Sequence, residues 1–190
     1  MKNLSKLFAA LIVLAFVSCQ TSELDNTNNE RTPKSPKEIS CETAFGASDY
    51  CFSEDGFNRW GWVIGPLCES PDKTTHPIYA AAGRCMTDRG YLVGYLYVDY
   101  YEGVATVTFD AEPGYEFTET HLYVGNEMYP TRRGVPTVAP GQYPYSDPHG
   151  PTRTYAYTIE DLRDCIYVIG HAVVCDAPDM DEEDDDDTPT

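Results

Sequence analysis

Positive charge is scarce in this chain. Its 190 residues hold 13 Lys and Arg against 31 Asp and Glu, a formal net charge of −18. A nucleic-acid binder needs a basic stripe to displace counterions from phosphates, and none is present. A polybasic patch for an anionic membrane surface is missing for the same reason. Long apolar runs are missing too. The longest, Leu7 to Val17, has 11 residues, against about 20 for a bilayer-spanning helix. No G-x-S-x-G elbow, H-E-x-x-H, P-loop or G-x-G-x-x-G occurs, nor any C-x-x-C. The four His (76, 121, 149, 171) are scattered. No catalytic residue, metal or cofactor is therefore expected.

Charged residues at 23% and hydrophobic ones at 42% suit a globular protein. The abundance of Gly, Pro, Cys and Tyr argues against an all-helical one.

The start of the chain reads as an export signal. Lys2 and Lys6 form a basic n-region, and Leu7 to Val17 an h-region. Val17-Ser18-Cys19 follows directly, and a small residue before Cys at this place resembles the lipobox of bacterial lipoproteins. The resemblance implies cleavage of residues 1–18 and a lipid thioether on Cys19. Several acyl chains on one Cys would hold the protein at a membrane without a transmembrane helix. Gln20 stands where Gram-negative lipoproteins retained at the inner membrane tend to carry Asp. That implies the outer membrane, with the domain facing the periplasm or the cell surface.

Residues 19–40 are nearly all polar and read as a flexible tether, because they cannot bury enough apolar surface to offset their ordering entropy. Residues 176–190 carry nine acids in 15, with Asp184 to Asp187 consecutive, and read as a disordered, solubilising tail.

Between them, residues 41–175 are expected to form one domain. All 15 Tyr lie there, with Cys41, Cys51, Cys68, Cys85, Cys165 and Cys175. Assigning Cys19 to lipid turns an odd seven Cys into an even six, and six in an exported protein suggest three disulfides. Cys165 and Cys175 flank one apolar run. As ends of a single strand they lie too far apart to bond, which leaves 12 of the 15 pairings. Cys51–Cys85 and Cys41–Cys175, the latter closing the two ends, are the favoured pairs.

The dominant hydrophobic period is two. In Tyr91 to Val98 it puts Tyr91, Val93, Tyr95 and Tyr97 on one face and Leu92, Leu96 and Val98 on the other. Glu102-Gly103 then reads as a turn into Val104–Phe109, a hairpin. Further strands are expected at Arg59–Ile64, Ile78–Ala82, Thr120–Val124, Thr154–Ile159 and Ile166–Val174. The last is apolar on both faces and so should be central. Short helical turns are possible at Glu160–Arg163 and near Ala80–Arg84. Short strands with frequent Pro and Gly suggest an all-β, antiparallel β-sandwich with disulfides, flanked by disordered ends.

Tyr155 to Leu162, followed by Tyr167 to Ala172, resembles the E–F corner of immunoglobulin-like and fibronectin type III-like sandwiches. That likeness implies a Tyr hydroxyl bonded back to the corner's backbone. The segments Phe57–Trp62, His121–Gly125, Val138–Pro144 and Tyr167–Ala172 resemble a module of exported bacterial lipoproteins, which implies no particular activity.

Trp60 and Trp62, at i and i+2 of a strand, should share a face and could stack on a sugar or grip a partner. Tyr100, Tyr101, Tyr129, Tyr143 and Tyr145, read as loop residues, would add amphipathic contacts. His121 and His171 read as satisfied core histidines, and Asp147-Pro148-His149 as too sparse for a metal. The expected function is that of a non-catalytic cell-envelope lipoprotein displaying a β-sandwich to bind or scaffold a glycan or a surface protein. The alternatives are a purely structural module and a hydrolase with a site built from loops.

Overall fold

The structure, a computed structural model, describes residues 39–177. The expected signal peptide, Cys19, nearly all of the expected tether and residues 178–190 lie outside the described residues.

Among the described residues twelve strands and three short 3-10 turns occur, with no α-helix. The strands are β1 (Cys41–Gly46), β2 (Tyr50–Cys51), β3 (Trp62–Leu67), β4 (Thr74–Ala80), β5 (Tyr91–Tyr101) and β6 (Val104–Ala111). Then come β7 (Tyr115–Gly125), β8 (Thr131–Arg132), β9 (Val135–Pro136), β10 (Tyr145–Asp147), β11 (Thr154–Ile159) and β12 (Ile166–Asp176). The main sheet runs β10-β7-β12-β1-β4-β5-β6-β11, with β3 branching from β12 and β2 from β3. Every pairing is antiparallel.

This continuous sheet folds over on itself into a sandwich. Its β7-β12-β1 half faces its β5-β6-β11 half, and Phe109 meets Phe117 edge-on across the gap at 6.0 Å. The layers come close where Gly170 of β12 lies beneath Leu96, whose Cδ2 would sit 2.8 Å from an added Cβ. Leu96, Val98, Phe109, Phe117, Leu122 and Val168 are among the side chains filling this first core.

The two outer edges are joined by one segment. Tyr145–Asp147 pairs along β7, Thr152 bonds Phe117 further along that edge, and Thr154–Ile159 then pairs with β6. Side chains fasten this seam. The Tyr155 hydroxyl donates to Asp147 Oδ2, and the Tyr157 hydroxyl lies 2.8 Å from Thr120 Oγ1. His149 stacks on Tyr155 at 4.1 Å with Nε2 3.1 Å from Thr120 Oγ1. Asp147 and His149 thus serve closure, and the hydrogen bond to Asp147 pushes the Tyr155 hydroxyl up to about 12.

β12 is central, as its two apolar faces require. Its inner face feeds the first core, and its outer face lies under loops that form a second core with Phe45, Phe52, Trp62, Val63, Tyr123 and Tyr143. Three disulfides staple these layers. Cys41–Cys175 links β1 to its register partner on β12, and Cys68–Cys165 joins the end of β3 to the start of β12. Cys51–Cys85 ties a covering loop to the 3-10 turn Gly83–Cys85. The sheet continues one residue beyond the expected domain end, since Asp176 N–H bonds Ser40 O at 3.0 Å.

The β5–β6 turn has Glu102 at φ 50° and Gly103 at φ 74°, the left-handed pair that a two-residue hairpin needs. On β5 the expected faces are corrected. Ile78 pairs with Gly94 but Tyr79 with Leu92, so Val93 is bulged and the alternation slips by one residue. Val93 therefore joins Leu96 and Val98 in the core and not the face of Tyr95 and Tyr97. The β11–β12 corner does switch layers, and a Tyr hydroxyl does bond its backbone. The tyrosine is Tyr100 of β5, which donates to Asp164 O at 2.7 Å, not Tyr167.

Candidate functional site

The aromatic pair predicted as a shared face is split. Between the two Trp, Gly61 adopts φ 137°, and an added Cβ would lie 2.4 Å from Phe52 Cε2. Strand alternation therefore begins only at Trp62. That ring is 3% exposed and belongs to the second core. Trp60 stays half-buried at the rim, edge-on to Trp62 at 5.9 Å and to Phe45 at 5.1 Å.

The expected loop tyrosines divide similarly. Tyr143 is 5% exposed, with its hydroxyl donating to Val138 O at 3.2 Å. Burial pushes that hydroxyl well above the usual range. Tyr100 and Tyr129 are also buried, which corrects the reading of all three as exposed contacts. Tyr101 is exposed. Tyr145 lies on the seam and packs against the first core, whereas the Trp pair belongs to the second.

What surrounds Trp60 is a pair of hollows. One, of about 470 Å³, is lined by Ser53, Phe57, Asn58, Arg59, Trp60 and Arg84. The other, of about 230 Å³, shares Asn58, Arg59 and Trp60 and adds Phe45, Pro140 and His171. Trp60 is the wall between them. Neither is lined by a carboxylate.

Local bonding explains the ledge. The Glu54 carboxylate accepts from Cys51 N–H at 3.0 Å and caps the 3-10 turn Phe52–Asp55. Gly56 ends the turn in the left-handed region, and Phe52 N–H bonds Gly61 O at 3.0 Å, closing the loop that carries Asn58, Arg59 and Trp60. Asp55, the nearest acid in sequence to Arg59, is held by two tyrosines. The Tyr50 hydroxyl donates to it at 3.1 Å and the Tyr129 hydroxyl at 2.9 Å. Both hydroxyls are raised, Tyr50 chiefly by that bond and Tyr129 chiefly by burial. Cys51–Cys85 bolts the Arg84 turn beside this loop. Among the described residues the sole close contact between a carboxylate and a basic side chain is Glu119 with His121, so no carboxylate neutralises Arg59 or Arg84.

His171 lies at the floor of the smaller hollow, 6% exposed, with Phe45 edge-on at 4.7 Å. It is the register partner of His121, and the two rings lie 5.2 Å apart. Neither Nδ1 has a hydrogen-bond partner, which corrects the expectation of satisfied core histidines. Burial, then the neighbouring His121 and Arg59, lowers His171 to about 3, so its ring is neutral at pH 7. An orphaned acceptor costs less than an orphaned N–H, which puts the ring proton on Nε2.

A larger hollow, about 620 Å³ between β3 and β4, carries no cation, and its His76 Nε2 already meets Thr74 Oγ1 at 3.0 Å. The Trp60 ledge is thus the place where aromatic surface, amide and cations converge.

Arg59 and Arg84 were not among the residues singled out from sequence. They are isolated basic residues in an acidic chain, and only the Cys51–Cys85 pairing brings the second near the first. No family model, curated protein or solved structure matches this chain.

Proposed function

We propose that this protein is an exported, lipid-anchored envelope lipoprotein whose rigid β-sandwich presents the Trp60 ledge for binding. The observation that carries this reading is the pair of hollows flanking Trp60, in which an aromatic ring, the Asn58 amide and two unpaired guanidinium groups converge. Three disulfides and two cores hold those groups in place, so little entropy is lost when a ligand binds. A glycan suits this surface best: an indole takes the apolar face of a pyranose, and amide and guanidinium groups take its hydroxyls.

Two experiments test the reading. On a glycan array, the purified chain should bind a subset of oligosaccharides, and Trp60→Ala should weaken that binding by about 1–3 kcal/mol, as at an interface hot spot. The same variant should keep its fold, because Trp60 is only half-buried. Glycan binding by Trp60→Ala equal to that of the wild type would place the platform elsewhere. Lipidation is checked separately. Labelled palmitate should enter the wild-type chain in a Gram-negative host and be absent from Cys19→Ala. Equal label in both would refute the anchor.

A further inference from the structure

Resting on the binding reading above, we infer that the ledge selects anionic saccharides, with Arg59 and Arg84 taking the acid group while Trp60 takes the sugar face. The inference starts from a local reversal of charge. Residues 41–175 carry 18 acids and 8 bases, yet the larger hollow beside Trp60 has two arginines and no carboxylate in its lining. Neither guanidinium is paired with an acid among the described residues. No other Lys or Arg among the described residues is paired either, so what distinguishes the ledge is two cations in one hollow without a carboxylate.

The fold maintains this imbalance. Asp55, four residues before Arg59, is occupied by the hydroxyls of Tyr50 and Tyr129. Arg84 is presented from a turn in which Ala81, Arg84 and Cys85 all have positive φ, at 54°, 61° and 58°. Non-glycine residues in that region cost free energy and persist where the surroundings impose them, and here the Cys51–Cys85 bond does so. On the other side of Trp60, His171 lines the smaller hollow as a buried, neutral imidazole. Its Nε2–H is a neutral donor, suited to a sugar hydroxyl or ring oxygen.

Charge and size choose between anions. The acidic body around the ledge repels dense polyanions such as nucleic acid. A hollow of about 470 Å³ accommodates one or two sugar rings. A guanidinium fork matches a carboxylate or a sulfate with two parallel hydrogen bonds. The shared chemistry is therefore a saccharide with one acid group per ring or fewer.

The test titrates the purified full-length chain with uronate oligosaccharides, their carboxyl-reduced neutral counterparts, and sulfated oligosaccharides. Acidic members should bind at least tenfold more tightly than their neutral counterparts, and the uronate and sulfate arms identify which acid group is taken. Arg59→Gln with Arg84→Gln should remove that preference while leaving the thermal melt unchanged, since both side chains are exposed. Equal or tighter binding of the carboxyl-reduced forms would overturn the charge selection and leave the binding reading intact. An unchanged preference in the double variant would overturn the role of the arginines. Failure to bind any saccharide, with the melt intact, would remove both readings.

Discussion

Replacing Cys41 and Cys175 together by Ala should lower the stability of the sandwich by about 4 kcal/mol. A cross-link acts mainly by shrinking the unfolded ensemble, and the effect grows with the logarithm of the closed loop. The bond links positions 134 residues apart, against 97 for Cys68–Cys165 and 34 for Cys51–Cys85. While Cys68–Cys165 is intact, however, the loop that Cys41–Cys175 closes runs only through residues 41–68 and 165–175. The native state needs no distortion to accommodate it, because Cys41 and Cys175 are already register partners on β1 and β12. Removing either of the other bonds should cost about the same, because each closes a loop of similar length when the remaining two are intact. Urea unfolding of the three double variants checks this through their midpoints at constant slope. Clearly unequal losses would show that native-state contacts, not loop entropy, set the contribution of each bond.

The same disulfides show how far the residues themselves reveal the fold. Parity, the lipobox-like Cys19 and the exclusion of Cys165–Cys175 narrow the pairings, and the favoured Cys51–Cys85 and Cys41–Cys175 both occur. Period-two patterning locates β11 at Thr154–Ile159 without error and finds the β5–β6 hairpin, because each strand has a single buried face. The two-sided apolarity of Ile166–Val174 marks β12 as central for the converse reason.

Departures from period two are less visible. Nothing in Tyr91–Val98 marks Val93 as bulged, since the cause is its register against β4. Gly61 was a visible warning beside the two Trp: glycine is the residue that enters the φ > 0 region freely, and its conformation there separates the rings. Tyr143 is buried by a loop that folds back on β12 and bonds itself through Val138 O, a tertiary event with no short-range signature. β1 is as long as β11 but its apolar residues do not alternate, and β10 has only three residues. Half of the candidate site was legible, in Trp60. The rest was implicit in the favoured Cys51–Cys85 pair, which by itself sets Arg84 beside the loop after Cys51.

Acidification should destabilise the sandwich through His171. Folded, this imidazole titrates at about 3; unfolded, it has the ordinary value of 6.5. Between those values the unfolded chain holds one more proton than the native one, so stability falls as pH falls. The contribution is flat above about pH 6.5, declines by up to about 1.4 kcal/mol per pH unit below it, and is fully lost below about pH 3. The whole window amounts to about 5 kcal/mol. The groups facing His171 reinforce this direction. Arg59 on the loop and His121 on β7 both disfavour a second positive charge, and Glu119 is already engaged with His121 at 2.8 Å. On β1 the neighbour is Phe45, which offers a proton no acceptor. Denaturation curves from pH 7 to pH 4 should therefore slope steeply for the wild type. His171→Gln removes the titrating ring, and its curve should be flatter by about the amount that His171 contributes. Subtracting the two curves cancels every carboxylate common to both proteins. Parallel curves would mean that His171 finds a proton acceptor when charged, and its buried, unpartnered Nδ1 is the atom at which that acceptor would have to appear.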